Sequence, residues 1–399
     1  MPTMVDWPIL LALILGHVAL FVLAVNLLHS TNTPEKVLDV LNLALLATML
    51  AAMPWIVTQG HWTTWPALPR AYASACLAIA LVGLPAVTAL RHLRKAPDGV
   101  ASRAEELDLA ASHGLDRVVG EGRGNWMLRL PGNQSFRVHK VECEVTLPAM
   151  PRALDGLTLV QISDLHFSRC YRRDFFELVA DEAARWDADL VAFTGDLLDD
   201  EATLDWVEPV LSRLRGKFGQ FAILGNHDHR LRPGRARRAL RRAGYADLDG
   251  RWARVDVDGS TLALGGTSEP WGPALNYAAM PADADLRLVL SHAPDQFPRA
   301  RARGVDLVLA GHNHGGQIRL PVLGPLLMPS RYSRHFDRGF FRSGDALLYV
   351  SQGVGGKHPL RYGGCHPEIT RFTLRALPNA YPHPLHRREQ VDSGVARQL

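Results

Sequence analysis

Charge is nearly missing from the first ninety residues. Asp6, Glu35, Lys36, Asp39 and Arg70 are the acidic and basic side chains there, against 79 of the chain's 84 in the remaining 309 positions. A single soluble domain does not distribute charge in this way, and a polytopic transporter would not carry so long a polar remainder. The net charge of +4 divides accordingly, −1 for the apolar head and +5 for the body. Cysteine is also scarce: Cys76, Cys143, Cys170 and Cys365 form no CxxC pair. That excludes a zinc knuckle, a dithiol redox motif and a disulfide-stapled fold, and a reducing compartment is the simpler reading. No repeat of fixed period occurs, and a chain of 399 residues that is 47% apolar and 21% charged is neither disordered nor collagenous. The body is long enough to bury a full core.

What the head does contain is hydrophobic length. Residues 8–28, 37–57 and 71–90 each approach the span of about 20 that a helix needs to cross about 30 Å of hydrocarbon. The first has no basic region before Trp7 and two more spans follow it, so it reads as a retained helix and not as a cleaved signal. Trp55, His61, Trp62 and Trp65, between the second and third spans, suit an interfacial aromatic belt. Arg91, Arg94 and Lys95 outweigh Arg70 on the opposite side, and Lys36 agrees with them. This predicts a multi-pass protein of the inner (cytoplasmic) membrane with its body in the cytoplasm. His17, Asp39 and Asn42 would mark either an ion path or helix-end and inter-helix hydrogen bonds; their isolation favours the second, and they are given no catalytic role.

Alternation at Val141, Cys143, Val145 and Leu147 predicts a half-exposed strand entering the body. Short β-rich runs follow at 157–163, 190–194, 221–224, 286–291 and 305–310, with helical patterns at 174–186 and 204–214 between the early ones. A further group, 252–257, 261–266, 346–350 and 369–374, reads as a second sheet. The fold class expected is α/β, a two-sheet β-sandwich flanked by helices and preceded by three transmembrane helices.

Each early run ends in polar residues. In order these are Asp164 and His166 in SDLH, Asp196 in GDLLD, Asn226 and His227 in GNHD, His292 in SHAPD, and His312 and His314 in GHNHGGQ. Singly, each is more often a structural pair or a turn, and Gly195, Gly225 and Gly311 fit tight turns equally well. Five such motifs closing five successive strand-like runs change that balance, because strand C-termini are where open α/β sheets place their sites. The donors are oxygen and imidazole without thiolate, which suits Mn, Fe, Zn or a similar divalent ion. Two such ions sharing one carboxylate can hold a hydroxide near neutral pH and clamp an in-line displacement at phosphorus.

These residues resemble the calcineurin-like metallophosphoesterases, whose blocks DxH, GDxxD, GNH(D/E), H and GHxH are all present in order, and the resemblance spans about 157–374. It implies one metal held by Asp164, His166, Asp196 and His314, and another held by Asp196, Asn226, His292 and His312, with Asp196 as the bridge. It further implies that His227 is the non-ligand histidine at the phosphoryl group and that Asp199 orients it. GGQIRLPVLGPLLMPSRY and PLRYGGCHPEI look like the membrane-linked bacterial branch, some of whose members resemble UDP-diacylglucosamine pyrophosphatases and others general phosphodiesterases. Only 19 residues separate His292 from His312, too few for the helical lid of another lipid A pyrophosphatase type. The doubled Gly363 and Gly364 depart from that branch and weaken a specific role for Arg361.

The expected organisation is a membrane domain at 1–95, a linker at 96–135, the metallophosphoesterase domain at 136–380 and a polar tail at 381–399. Arg230, Arg232, Arg235, Arg237, Arg238, Arg241 and Arg242 would either meet anionic headgroups or a diphosphate, or form a solvated helix face. Without interleaved aromatics they do not suggest nucleic acid. Residues 320–328 are apolar and would be either core or a lipid-contacting loop. Gly353, Gly355 and Gly356 make no dinucleotide fingerprint, since no helix pattern follows. The function expected is hydrolysis of a phosphodiester or pyrophosphate, in a lipid-linked diphosphate or a small phosphoester. A non-catalytic scaffold or a metal-stabilised sensor would have no need of His227. Oligomeric state and metal identity stay open.

Overall fold

The computed structural model describes residues 7–58, 63, 65–325 and 327–377. Helix α1 (Trp7–His29) and helix α2 (Glu35–Thr58) are followed by α3 (Ala67–Ala78) and α4 (Leu84–Leu93), which one π turn at Ile79–Gly83 joins into a single rod. By length and composition these make three candidate membrane spans, close to the ranges expected from sequence. Leucines at 11, 23, 43, 50 and 81 face outward, as lipid contact allows. Close backbone contact substitutes for hydrophobic drive between them: a methyl group on Gly16 would lie 1.9 Å from the Cys76 carbonyl oxygen, so α1 and α3 touch there. His17 ties all three spans, with Nδ1 2.5 Å from the Tyr72 hydroxyl and Nε2 3.1 Å from the Met49 carbonyl. Asn42 bonds His29 at 2.9 Å. Of the two readings of the intramembrane polar residues, inter-helix hydrogen bonding is therefore the one these two residues follow. Trp65 packs inward with Leu13, Ile56, Ala73 and Cys76 instead of standing in a lipid-facing belt. His61, Trp62 and the Trp55 side chain lie outside the described residues, as does the tail at 381–399.

The body is built from β1 (Val100–Asp108), two short turns of helix α5 (Leu109–His113) and α6 (Leu115–Val118), β2 (Arg137–Leu147), β3 (Thr158–Ile162), α7 (Arg173–Ala184), β4 (Leu190–Thr194), α8 (Val207–Leu211), β5 (Gln220–Ile223), α9 (Asn226–Arg230), α10 (Pro233–Arg242) and β6 (Ala246–Asp247). It continues with β7 (Trp252–Val257), β8 (Ser260–Thr267), β9 (Leu286–Ser291), α11 (Phe297–Ala302), β10 (Leu307–Ala310), β11 (Arg319–Leu320), β12 (Gly324–Pro325), β13 (Gly339–Ser343), β14 (Ala346–Val350) and β15 (Glu368–Ala376). One sheet has the order β1-β2-β15-β3-β4-β5-β6 and the other β13-β14-β10-β9-β8-β7. Strands β3, β4, β5, β9, β10 and β14 are short apolar runs paired in parallel, as strands covered on both faces must be. Leu159, Leu190, Phe221, Leu264, Leu288, Leu309 and Phe372 fill the space between the sheets, while α7, α8 and α10 cover the outer face of the first.

The structure corrects the sequence reading at three points. Runs 286–291 and 305–310 belong with the second sheet, not with the first group of strands. Run 369–374, assigned to the second sheet, lies in the first as β15, between β2 and β3. The segment expected as a linker, 96–135, contributes the edge strand β1, paired residue for residue with β2 from Val100–Val145 to Asp108–Arg137. The charged residues Arg103, Glu105, Glu106 and Asp108 are what an edge strand carries, and they mimic a linker in composition.

Candidate metal centre

Strand ends deliver the polar residues to one place. Asp164 lies two residues past β3, Asp196 two past β4, Asn226 three past β5, His292 one past β9 and His312 two past β10. The two sheets stack so that these ends meet, and Asp164, His166, Asp196, Asn226, His292, His312 and His314 are all buried, none more than 9% exposed. Ligand-type atoms of Asp164, His166, Asp196 and His314 lie within 4.8 Å of one another, and so do those of Asp196, His292 and His312. Asp196 belongs to both groups: its Oδ2 is 3.4 Å from His166 Nε2 and its Oδ1 is 3.4 Å from His292 Nε2.

Outward hydrogen bonds set which nitrogen of each ring faces inward. His166 Nδ1 donates to Asp199 Oδ1 at 3.1 Å, His292 Nδ1 to the Thr194 carbonyl at 2.9 Å, and His312 Nε2 to the Pro329 carbonyl at 2.7 Å. Carbonyl and carboxylate oxygens only accept, so the opposite nitrogen of each ring keeps a lone pair directed into the centre. Acceptor then faces acceptor where His292 Nε2 lies 3.0 Å from Asn226 Oδ1, while His166 Nε2 lies 3.0 Å from Nε2 of His314, the ring whose Nδ1 is 3.4 Å from the Arg361 guanidinium. Such convergence of lone pairs is resolved by a cation, and the donor set fits a divalent one. Without it the field pulls in protons. Burial opposes charge on His166 and His292, yet Asp199, Asp196 and Asp164 push His166 up to about 9, and Asp196 with Asp164 does the same for His292. A cation held by these residues would compete with those protons, which would couple its affinity to pH. Burial, with His292 beside it, drives His312 down to about 3.

The backbone is strained where the donors sit. Of nine non-glycine residues with left-handed φ among the described residues, five are Asp164, His166, Asp196, His312 and His314. Two of the turn glycines prove to be close approaches: a Cβ on Gly225 would lie 2.1 Å from Asp196 Oδ1, and one on Gly311 would lie 2.1 Å from Ser163 Oγ and 2.2 Å from Asp164 Oδ2.

His227 stands beside the donors, partly exposed. Its backbone N–H donates to Asp196 Oδ1 at 2.9 Å and its Nδ1 lies 2.5 Å from Asp199 Oδ1. Asp199 thus serves His166 and His227 through one oxygen, a sharing that the spacing of GDLLD does not announce. Three further residues escaped the sequence reading. Asp228, 1% exposed, accepts the amides of Leu197, Leu198 and Gly225 at 2.9–3.1 Å and so ties the Asp196 loop to α9. Burial and the nearby Asp196 push its carboxyl up to about 6. Trp271 packs its indole 4.8 Å from the His312 ring centroid. Arg361, discounted because of Gly363 and Gly364, is 1% exposed and donates to the carbonyls of Gln352, Gly353, Gly355, Cys365 and His366, behind His314. Only its place in PLRYGG signalled it.

The arginine run is largely spoken for. Arg232 and Arg235 pair with Glu201, Arg237 with Asp247 and Asp249, and Arg242 with Glu208, so the solvated-face reading describes most of α10. Segment 320–328 is mainly loop: Leu320, Val322 and Leu327 are 39%, 68% and 54% exposed, whereas Met328 is fully buried. Leu326 lies outside the described residues.

The family model of calcineurin-like phosphoesterases matches residues 157–316. An uncharacterized metallophosphoesterase of Bacillus subtilis, YkuE, is 31% identical over 248 residues, which cover 60% of this chain and 86% of that protein. The chain belongs to the calcineurin-like phosphoesterase family. The phosphodiesterase YaeI of Escherichia coli is 31% identical over 226 residues, 53% of this chain and 80% of the relative. A transmembrane protein with metallophosphoesterase domain from Danio rerio is 27% identical over 267 residues, 59% of this chain and 57% of that protein. Family membership and the two Asp/His clusters make this a metal-dependent phosphoesterase that uses two divalent ions.

Proposed function

We propose that this chain is a membrane-anchored phosphodiesterase or pyrophosphatase whose substrate is carried by a membrane lipid. In this reading Asp164, His166, Asp196 and His314 hold one ion, and Asp196, Asn226, His292 and His312 hold the other. The observation that carries it is Asp196, buried between two donor groups with one oxygen turned to each. When bound, the ions supply Lewis acidity and a hydroxide near neutral pH. The protein does the rest: Asp196 and Asp164 neutralise part of the ionic charge, and the Thr194, Pro329 and Asp199 acceptors fix the ligand imidazoles. His227, which needs no ion, is left to meet a phosphoryl oxygen or the leaving group while Asp199 holds its Nδ1–H.

Support for a lipid-borne substrate comes from the surroundings. The exposed Leu320, Val322 and Leu327 lie on the loop that leads into Pro329, the partner of His312, and the Val322 carbonyl accepts a hydrogen bond from Arg91 at the end of the third span. Apolar side chains placed at the end of a membrane helix and beside the donors suit acyl chains, as in UDP-diacylglucosamine. Arg91, Arg94 and Lys95 support the cytoplasmic leaflet of the inner membrane as the place of that substrate.

The test is hydrolysis of a nucleotide-diphosphate lipid, an aryl phosphodiester and an aryl monoester by the full chain with Mn, Mg and Zn in turn. A double Val322→Ser, Leu327→Ser variant should lose activity on the lipid while keeping it on the aryl phosphodiester, because remote binding energy is lost only from the former. Equal loss on both, with lowered thermal stability, overturns the lipid reading.

A further inference from the structure

Two contacts run from the membrane domain into the wall behind His312. Asn26, 3% exposed near the end of α1, accepts the Met328 amide through Oδ1 at 2.9 Å. The carbonyl of the next residue, Pro329, takes the His312 Nε2–H at 2.7 Å. Just past α1, the Thr31 carbonyl accepts the Trp271 indole N–H at 3.1 Å, and that indole lies 4.8 Å from the His312 ring and 5.7 Å from the His292 ring, centroid to centroid.

We propose that Asn26 and Trp271 are positioning residues for His312, so that the membrane domain is a working part of the metal centre in addition to its anchor. A ligand imidazole rotates freely unless its second nitrogen is held, and the holder must itself be held. Here the holder is a backbone carbonyl in a loop with little regular structure, whose β11 and β12 pair through two residues each. Ser330 and Arg331 pin that loop to Asp295 on the body side, the Arg331 amide donating at 3.0 Å. The bond at Met328, immediately before Pro329, comes from α1. The indole then closes the other side of the ring, its own orientation set by Thr31. Asn26 and Met328 are 302 residues apart in the chain, so this restraint is supplied by the membrane domain and adds to the one from Asp295.

The proposal rests on the assignment of His312 to the second ion, and the experiment separates the two. Full-length protein in lipid nanodiscs is titrated with Mn(II), reading the affinity for each ion and the electron-spin-resonance signature of a coupled pair. Asn26→Ala should weaken the second ion by up to about 10-fold and leave the first unchanged, the lower end of the range for losing a direct partner of a ligating histidine, because Asn26 acts one bond further out. Asn26→Asp, which keeps an acceptor oxygen, should restore most of that affinity. Trp271→Phe keeps a ring against His312 but loses the N–H, and should weaken the second ion in the same direction. Tyr72→Phe, which breaks the His17 bond among the spans, should change neither ion. Wild-type affinity and coupling in Asn26→Ala overturn the proposal, as does an equal loss in Tyr72→Phe, which would mean general loosening. Should Asn26→Ala fail to fold, unchanged second-ion affinity in Trp271→Phe overturns it. If His312→Ala keeps the second ion, the ligand assignment fails; if His312→Ala loses it while Asn26→Ala does not, the positioning role alone fails.

Discussion

Replacing Asp199 with asparagine separates two jobs that one carboxylate oxygen performs. Oδ1 accepts from His227 at 2.5 Å and from His166 at 3.1 Å, and the side chain is 10% exposed. A bond to a charged acceptor is worth about 1.5–3 kcal/mol and a neutral one about 0.5–1.5, so losing the charge costs roughly 1–2 kcal/mol at each histidine. On the proposed assignment of His166 to the first ion, this should weaken that ion about 10-fold, since Asp199 holds the Nδ1 side of the ring. Through His227 it should slow turnover at saturating metal by roughly 5-fold to 30-fold, at about 1.4 kcal/mol per decade. His227→Ala should behave differently, with a rate loss on the order of 10²–10⁴ and unchanged metal affinity. In the double variant the affinity loss should match that of Asp199→Asn, while the rate loss should not exceed that of His227→Ala, because the two side chains act on turnover as one unit. The assay is metal titration followed by turnover of an aryl phosphodiester at saturating metal. Wild-type metal affinity in Asp199→Asn, or rate losses that multiply in the double variant, would refute the shared role.

Asp196→Asn should lose both ions and activity together, since one carboxylate faces both donor groups; a purified variant with two ions per chain and near-normal turnover would exclude the bridge. Asp249 is held below the usual carboxylate range, against its burial, by His229, Ser268 and Arg237. A folded value below the unfolded one of about 3.9 gives stability that is present above that pH and disappears as pH falls through the folded value. Metal-free protein should therefore lose stability on acidification from about pH 4 downward, and Asp249→Asn should flatten that dependence; an unchanged slope in thermal unfolding would rule out Asp249 as its source. A reporter that works only in the cytoplasm should be active when fused after Lys95, and activity there of a periplasm-only reporter would invert the orientation.

Sequence alone determined what local chemistry can carry. Hydrophobic length is a property of composition, so the three spans were visible before any packing was known, and α1 and α2 extend only a residue or two beyond them. Motifs such as GDLLD and GNHD were legible because a donor just past a short apolar run needs only the strand and its turn. Tertiary structure decided everything that depends on which segments become neighbours. Strands β9 and β10 read like β3 and β4, because burial on both faces imposes the same apolar run in either sheet. The place of β15 between β2 and β3, and of β1 at the edge, follows from pairing across long separations that no periodicity encodes. Sharing of Asp199 by two histidines, the carbonyl-filled pocket of Arg361, and the reach of Asn26 to Met328 belong to the same class. Each is a contact between residues whose neighbours in sequence give no reason for it, made favourable only once the sheets have stacked and left a buried polar group needing a partner.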